Sequence, residues 1–253
     1  MELSLCRNPV MLSAVTPRFA VVMFHNSAIK KYADHAAAVN RKYCERHGYE
    51  FVLMEYDDTA NEPYYEKIRV CMEQLPRFDY VCWIDSDACF IDFTTKLEDV
   101  TREHDGDLIT AGYTEGRGTD GSVIRPVVRG NAAGINTGVM IFKNTEWCRA
   151  FLARVWSLVP SKWAKHEQGI LQELLLRDEM DAQSHISLVV PAGRLNHFDD
   201  RLDGGDHSSF VLHLWGTSAS ERVRVLSTLA GGEAPDGIQK HLSSDGTVVK
   251  VNL

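Results

Sequence analysis

The chain has 253 residues, 44% of them hydrophobic and 25% charged, a composition ordinary for a globular protein and unlike that of disordered, collagenous or coiled-coil chains. Thirty-five acids against 27 bases give a formal net charge of −8, which argues against a nucleic-acid binder with a basic face. The most apolar N-terminal stretch, Val10 to Phe24, is interrupted by Pro17 and Arg18. No run therefore reaches the ~20 residues of a spanning helix, and Glu2 stands where a secretory leader would be basic. Six cysteines (Cys6, Cys44, Cys71, Cys82, Cys89 and Cys148) form no CxxC pair. They read as reduced thiols in a cytoplasmic protein without structural zinc.

In chain order, Phe19 to Phe24 is a continuous apolar run, the pattern of a buried parallel strand. Asn26 or Ser27 is expected to cap the following helix. Its residues Ile29, Tyr32, Ala36, Val39 and Tyr43 repeat at 3,4,3,4 and make one buried stripe; Gly48 ends it. A strand from about Glu50 to Tyr56 follows. Pro63 suits the first turn of a second helix, with Tyr64, Ile68, Cys71 and Leu75 as its buried stripe and Pro76 as its stop. Tyr80 to Ile84 is a short hydrophobic strand that runs into Asp85-Ser86-Asp87. Leu108 to Ala111 is a strand, Thr114 to Asn131 a Gly-rich mobile loop, and Ile135 to Phe142 a strand. A helix from about Thr145 to Leu158 buries Trp147, Phe151 and Val155. Another opens near His166 and buries Ile170, Leu171, Leu174 and Leu175. Ile186 to Val190 and Phe210 to Trp215 are late strands. The alternation of helices and strands predicts an α/β domain, with residues 1–17 as an extension and about 231–253 as a peripheral tail.

The chemistry concentrates in a few places. Asp85 and Asp87, as i and i+2 of an extended segment, point to one side. Two carboxylates there need a cation or donors, and Mg²⁺ or Mn²⁺ suits carboxylate oxygens and phosphates. The alternatives are an Asp/Ser turn, or a phosphohydrolase of DxDxT type, against which Cys89 stands at the hydroxyl position. His213, on the opposite strand face from Phe210, Leu212 and Leu214, is a third candidate ligand or else a core histidine. Glu167 falls on the face of Leu171 and Leu174, with Gln168 on its flank. The pair either faces a ligand or merely complements the helix dipole. Asn136-Thr137-Gly138 reads as a turn or a site loop. Lys67, one residue off its helix's buried stripe, is either solvated or a neutralising cation. Gly216 permits close backbone approach to a ligand.

Together, Glu66-Lys67-Ile68 with Tyr80 to Ala88, Ile135 to Asn144, His166 to Leu171 and Val211 to Gly216 resemble, in order, the blocks of glycosyltransferase family 34. Glycosyltransferase family 8 shares the layout. The resemblance implies a GT-A fold, a single Rossmann-like mixed sheet flanked by helices, and transfer of a sugar from a nucleotide diphosphate, with UDP expected, to a glycan hydroxyl with retention. It implies Mn²⁺, with Mg²⁺ as the alternative, held by Asp85, Asp87 and His213. Asp85 would also touch the ribose, and Phe24, His25 and Asn26 would approach base and ribose. Lys67, Asn136 and Glu167 would contact the donor sugar. Gln168 would sit near the anomeric carbon, Glu167 is a conceivable nucleophile, and Gly216 would admit the diphosphate. Two departures stand out: Glu167 replaces the frequent Asp, and Arg222 is the first base after Gly216, where family 8 has a Lys sooner. A non-catalytic nucleotide-sugar binder, and an inverting transferase using Asp199, Asp200 or Asp206 as base, are the rival readings. Acceptor selectivity is expected in 113–129 and 196–209.

Overall fold

The computed structural model describes residues 16–59, 61–112, 134–160, 166–189, 194–197 and 209–232, together with the paired segments 116–117, 123–124, 241–242 and 248–249. The expected 1–17 extension, the 114–131 loop, both acceptor segments and the tail therefore lie mostly outside the described residues. Eleven strands and seven helices carry the argument. The strands are β1 (Phe19–His25), β2 (Glu50–Glu55), β3 (Tyr80–Ile84), β4 (Ala88–Phe90), β5 (Leu108–Gly112), β6 (Gly116–Arg117), β7 (Val123–Ile124), β8 (Ile135–Lys143), β9 (Ile186–Val189), β10 (Asn196–His197) and β11 (Val211–His213). The helices are α1 (Lys30–His47), α2 (Glu66–Gln74), α3 (Leu97–Glu103), α4 (Glu146–Ser157), α5 (Glu167–Leu176), α6 (Ala182–His185) and α7 (Ala219–Gly231).

Six strands form one mixed sheet in the order β2-β1-β3-β8-β5-β9. β1 runs parallel to β2 and β3, whereas β8 is antiparallel to β3 and β5. Both faces are covered, which is why the strands read as continuous apolar runs. Alternation sends Phe19, Val21, Met23, Cys82 and Ile84 to the α1 and α7 side. It sends Ala20, Val22, Phe24, Val81 and Trp83 to the side of α2, α4 and α5. A second, three-stranded sheet, β10-β11-β4, lies on the α1 side.

Several boundaries differ from the sequence expectations. α1 is capped by neither Asn26 nor Ser27: its N-cap is Ile29, without a side-chain bond, and Ser27 is drawn to Asp57 instead, through its amide at 2.7 Å and its hydroxyl. Gly48 does end the helix, at φ 75°. Pro63–Tyr65 is a 3₁₀ turn ahead of α2, which leaves Tyr64 exposed rather than buried. Trp147 is only half-buried; it stacks on Phe151 and on the His185 ring. The strand expected over 210–215 stops at His213, since the Leu214 amide turns to the Asp87 carbonyl and Trp215 faces outward. β4, α3 and α7 had no counterpart in the sequence reading. For α7 a signal exists: Ser218 accepts from the Glu221 amide at 3.2 Å, the Ser-x-x-Glu start pattern.

A buried amide ties α1 to the small sheet. Asn40 on α1 is fully buried; its Nδ2 donates to the Ala88 carbonyl at 3.1 Å and its Oδ1 accepts from the Phe90 amide at 3.0 Å. β4 pairs with β11 on one edge, and Asn40 satisfies backbone groups on its other edge. Asn40→Ala leaves two buried backbone groups unpaired and is expected to cost about 2–4 kcal/mol, read as a lower urea midpoint. An unchanged midpoint would show that β4 is held by other means.

Candidate active site

Strand direction brings the chemistry to one edge of the main sheet. The carboxyl ends of the parallel strands β1, β2 and β3 meet the amino end of the antiparallel β8 there, the usual ligand position in open α/β sheets. Asp85-Ser86-Asp87 is the turn from β3 in the large sheet to β4 in the small one. Its backbone is fixed at both ends: the Asp85 amide donates to the Gly138 carbonyl at 2.8 Å, and the Asp87 carbonyl accepts from the Leu214 amide at 3.0 Å. The Ser86 hydroxyl donates to the Phe24 carbonyl at the end of β1. His213 pairs across from Ala88 in the β4–β11 ladder, which sets its ring beside both aspartates.

Each carboxylate has one oxygen tied back and one turned inward. Asp85 Oδ1 accepts from Lys67 Nζ at 2.9 Å and Trp83 Nε1 at 2.7 Å, while Oδ2 lies 3.6 Å from His213 Nε2. Asp87 Oδ2 pairs with Arg222 Nη2 at 2.9 Å, while Oδ1 lies 3.2 Å from His213 Nε2. One ligand atom from each of Asp85, Asp87 and His213 falls within 4.8 Å of the others. Burial by itself would raise the Asp87 pKa, but the hydrogen bond and charge that His213 offers when its ring is protonated, together with the Arg222 charge, outweigh burial and hold it below the usual carboxylate value. Two hard oxygens and one imidazole nitrogen are a donor set that fits Mn²⁺ or Mg²⁺.

Lys67 is buried, 6% exposed, and is not solvated. Its three protons go to Asp85 Oδ1, to Glu167 Oε1 at 2.7 Å and to the Thr137 carbonyl at 3.3 Å. Burial pulls its pKa down, yet the Asp85 and Glu167 carboxylates win and raise it, so the ammonium stays charged. Glu167 is buried as its helix face predicts, and its Oε1 also accepts from the Thr137 hydroxyl at 2.8 Å. Gln168 Oε1 accepts from the Thr137 amide at 3.2 Å. A backbone amide can only donate, so the carboxamide NH₂ of Gln168 is turned away from β8.

Thr137 reaches all three groups because β8 bulges. Asn136 pairs with Ala111 and Met140 with Thr110, so the residues between them have no partner on β5. The Thr110 hydroxyl reaches the Asn136 and Val139 carbonyls across the gap. Bulges of this kind re-aim side chains beside active sites. Gly138 sits on the bulge against the His213 ring: a Cβ there would lie 2.1 Å from Cε1. Asn136 Oδ1 accepts from the Gly138 amide at 2.9 Å and from Asn196 Nδ2 at 2.7 Å.

The remaining expected residues lie around this cluster. The Phe24 side chain is buried against Tyr56, rings 4.6 Å apart. His25 is fully buried; its Nδ1 lies 3.4 Å from the Asn26 carbonyl, and its Nε2, 3.5 Å from Asp34 Oδ1, has no hydrogen-bond partner. Asn26 Oδ1 is also buried without a partner. Gly216 adopts φ 75° with open space where a Cβ would be, so backbone conformation is what favours glycine there. Cys89, at the DxDxT hydroxyl position, is fully buried in β4. The sequence assigns no site role to Trp83, places Thr137 only in a turn or site loop and Asn196 only at the start of an acceptor segment, and leaves Arg222 open; the structure sets Asn196 against Asn136 and His213 instead. Arg222 packs over the Tyr32 ring at 5.2 Å and donates to the Leu214 carbonyl at 3.2 Å. Gly138→Ala is expected to push the His213 ring out of the cluster, at about 1–3 kcal/mol of overpacking. Urea unfolding and a Mn²⁺ titration check this, and wild-type values in both would show that the ring gives way freely.

A model of the galactosyl transferase GMA12/MNN10 family matches residues 10–223. The chain is 24% identical over 220 residues to an alpha-1,2-galactosyltransferase of Schizosaccharomyces pombe, covering 76% of this chain and 58% of that one. It is 30% identical over 162 residues to galactomannan galactosyltransferase 1 of Cyamopsis tetragonoloba, covering 58% and 34%. It is 26% identical over 153 residues to xyloglucan 6-xylosyltransferase 1 of Arabidopsis thaliana, covering 58% and 31%. The chain thus spans between about a third and three fifths of the length of these relatives. Among solved structures, a glycosyltransferase involved in the glycosylation of the major capsid of PBCV-1 superposes with TM-score 0.64 at 20% identity, over 84% of this chain and 100% of that one. The apo WbbM bifunctional glycosyltransferase gives TM-score 0.55 at 12% identity, over 89% and 51%. The fold is GT-A, and the chain belongs to the galactosyl transferase GMA12/MNN10 family, glycosyltransferase family 34.

Proposed function

We propose that the chain is a metal-dependent glycosyltransferase that moves a hexose or pentose from a nucleotide diphosphate, UDP, to a glycan hydroxyl with retention. One observation carries the metal dependence: Asp85 Oδ2, Asp87 Oδ1 and His213 Nε2 converge while the other oxygen of each carboxylate is held by Lys67 or Arg222. Charge supports it too. Three carboxylates (Asp85, Asp87, Glu167) face two cations (Lys67, Arg222) in the cluster, which leaves one negative charge for a divalent ion to overcome. Bound there, Mn²⁺ supplies Lewis-acid stabilisation of the negative charge that develops on a departing diphosphate.

The protein's own groups have separate tasks in this reading. Lys67 holds Asp85 and Glu167 in place, and Arg222 holds Asp87. Gln168, half-exposed at the start of α5, presents its NH₂ as a donor beside the reacting carbon; an amide cannot serve as a general base. The end of β1, with Phe24, His25 and Asn26, lines the base and ribose region, where the partnerless Asn26 Oδ1 is a buried acceptor suited to a donor on the nucleoside. Asn136 and Gly216 border the donor sugar and diphosphate. Glu167 Oε1 is engaged with Lys67 and Thr137, which gives the residue an electrostatic role in this reading. Cys44, Cys71, Cys82 and Cys148 are buried free thiols, which supports the reading of a cytoplasmic setting. Among the described residues no helix is long and apolar enough to cross a membrane.

Calorimetric titration of UDP with and without Mn²⁺ tests the reading. Metal-dependent binding is expected in the wild type and loss of metal-dependent donor turnover in Asp87→Ala; unchanged metal-dependent turnover in that variant would sink the metal assignment. Gln168→Ala is expected to lower turnover by about 10²-fold, the scale of losing one transition-state donor, with UDP affinity near wild type. If UDP binding is abolished instead, Gln168 is misplaced.

A further inference from the structure

The hydrogen bonds behind His213 have a fixed direction, set by a backbone amide. The Gly138 N–H can only donate, so the Asn136 atom 2.9 Å from it is Oδ1. That oxygen can only accept, so the Asn196 atom 2.7 Å away is the NH₂. The other end of the Asn196 amide is then its carbonyl oxygen, and it faces His213 Nδ1 at 3.0 Å. An acceptor at that distance requires the proton on Nδ1. A neutral imidazole carries only one N–H, so Nε2 is left with its lone pair. Asn196 and His213 are both buried, 6% and 3% exposed, where an unpaired polar group is costly.

This direction opposes the local electrostatics. Nε2 faces Asp87 Oδ1 at 3.2 Å and Asp85 Oδ2 at 3.6 Å. Two carboxylates draw the ring proton toward Nε2, and a proton there blocks ligation. We propose that Asn196 is the positioning residue that holds His213 in its Nδ1–H form and so keeps Nε2 available to a divalent cation. The inference about cation binding rests on the metal-dependent reading above; the inference about the tautomer does not. Asn196 lies 60 residues from Asn136 and 17 from His213 in sequence, and its side chain points into the site core rather than to an acceptor surface.

Two measurements test this separately. Long-range ¹H–¹⁵N NMR of the His213 ring, on metal-free protein at a pH where the ring is neutral, is expected to report Nδ1–H in the wild type. Asn196→Ala is expected to shift the ring toward Nε2–H, whereas Asn196→Asp, which keeps an acceptor at Nδ1, retains the wild-type form. Mn²⁺ calorimetry is expected to show affinity reduced by about 10–100-fold in Asn196→Ala, the usual effect of losing such a partner. A wild-type ring protonated at Nε2 overturns the proposal, as does an Asn196→Ala protein with unchanged tautomer and Mn²⁺ affinity. If the wild type binds no Mn²⁺, the metal reading fails, and the NMR result alone decides the role of Asn196.

Discussion

Three carboxylates, Asp85, Asp87 and Glu167, stand close together at the edge of an apolar sheet, two of them less than a seventh exposed. Unpaired, they would not stay ionised there, because charge is expensive to remove from water. Much of the local architecture answers this constraint. Lys67 comes from α2 and bridges two of the acids. Arg222 comes from α7, far along the chain, and takes the third. Neither cation neutralises the inward-facing oxygens, so the cluster remains organised around a point of negative potential. A buried ion-pair network of this kind is weak evidence for stability; its arrangement makes sense as the preparation of a charged site.

The shape of the site depends on what is missing from β8. A regular strand would pair along its length with β5 and send alternate side chains to the two cores. The bulge between Asn136 and Met140 breaks that ladder on one edge only; the pairing of Val139 with Ile84 on the other edge survives. Thr137 is thereby freed to contact Lys67, Glu167 and Gln168, and Gly138 leaves the space that the His213 ring fills. The Asp85 amide bonds the Gly138 carbonyl, so the same bulge also fixes the first aspartate. One local irregularity thus registers the Asp85–Asp87 turn, the histidine and the α5 amino terminus against one another.

What was legible in the sequence follows from range. β1 and β3 are continuous apolar runs because helices cover both sheet faces, and that is a local signal. Asp85 and Asp87 are conspicuous because charge follows such a run without a break. Helical spacing correctly put Glu167 on a buried face. Lys67 was ambiguous, since one residue off an apolar stripe is equally compatible with solvent and with a buried ion pair; only the positions of Asp85 and Glu167 decide. β4 has three residues and no period to read. Asn196 carries no local signal, because every partner that gives it meaning is brought in by the fold. α7 announces itself through Ser218 and Glu221, a local start pattern that the sequence does contain.

The polarity of the hydrogen bonds adds something that neither composition nor topology contains. Side-chain amides and imidazoles can each be turned two ways, and a cluster built only from them would have several near-equivalent states. Here the ambiguity is removed from outside, by backbone amides that have no alternative. The Gly138 amide orients Asn136, and through Asn196 it orients His213; the Thr137 amide orients Gln168. Both donors sit on the β8 bulge, at adjacent positions. The bulge therefore determines where the functional groups lie and also which atom of each is presented: a lone pair from His213 and an N–H from Gln168. A regular strand at this position would use these amides in its own ladder and leave both side chains free to turn, so the departure from regular pairing is what makes the site chemically single-valued.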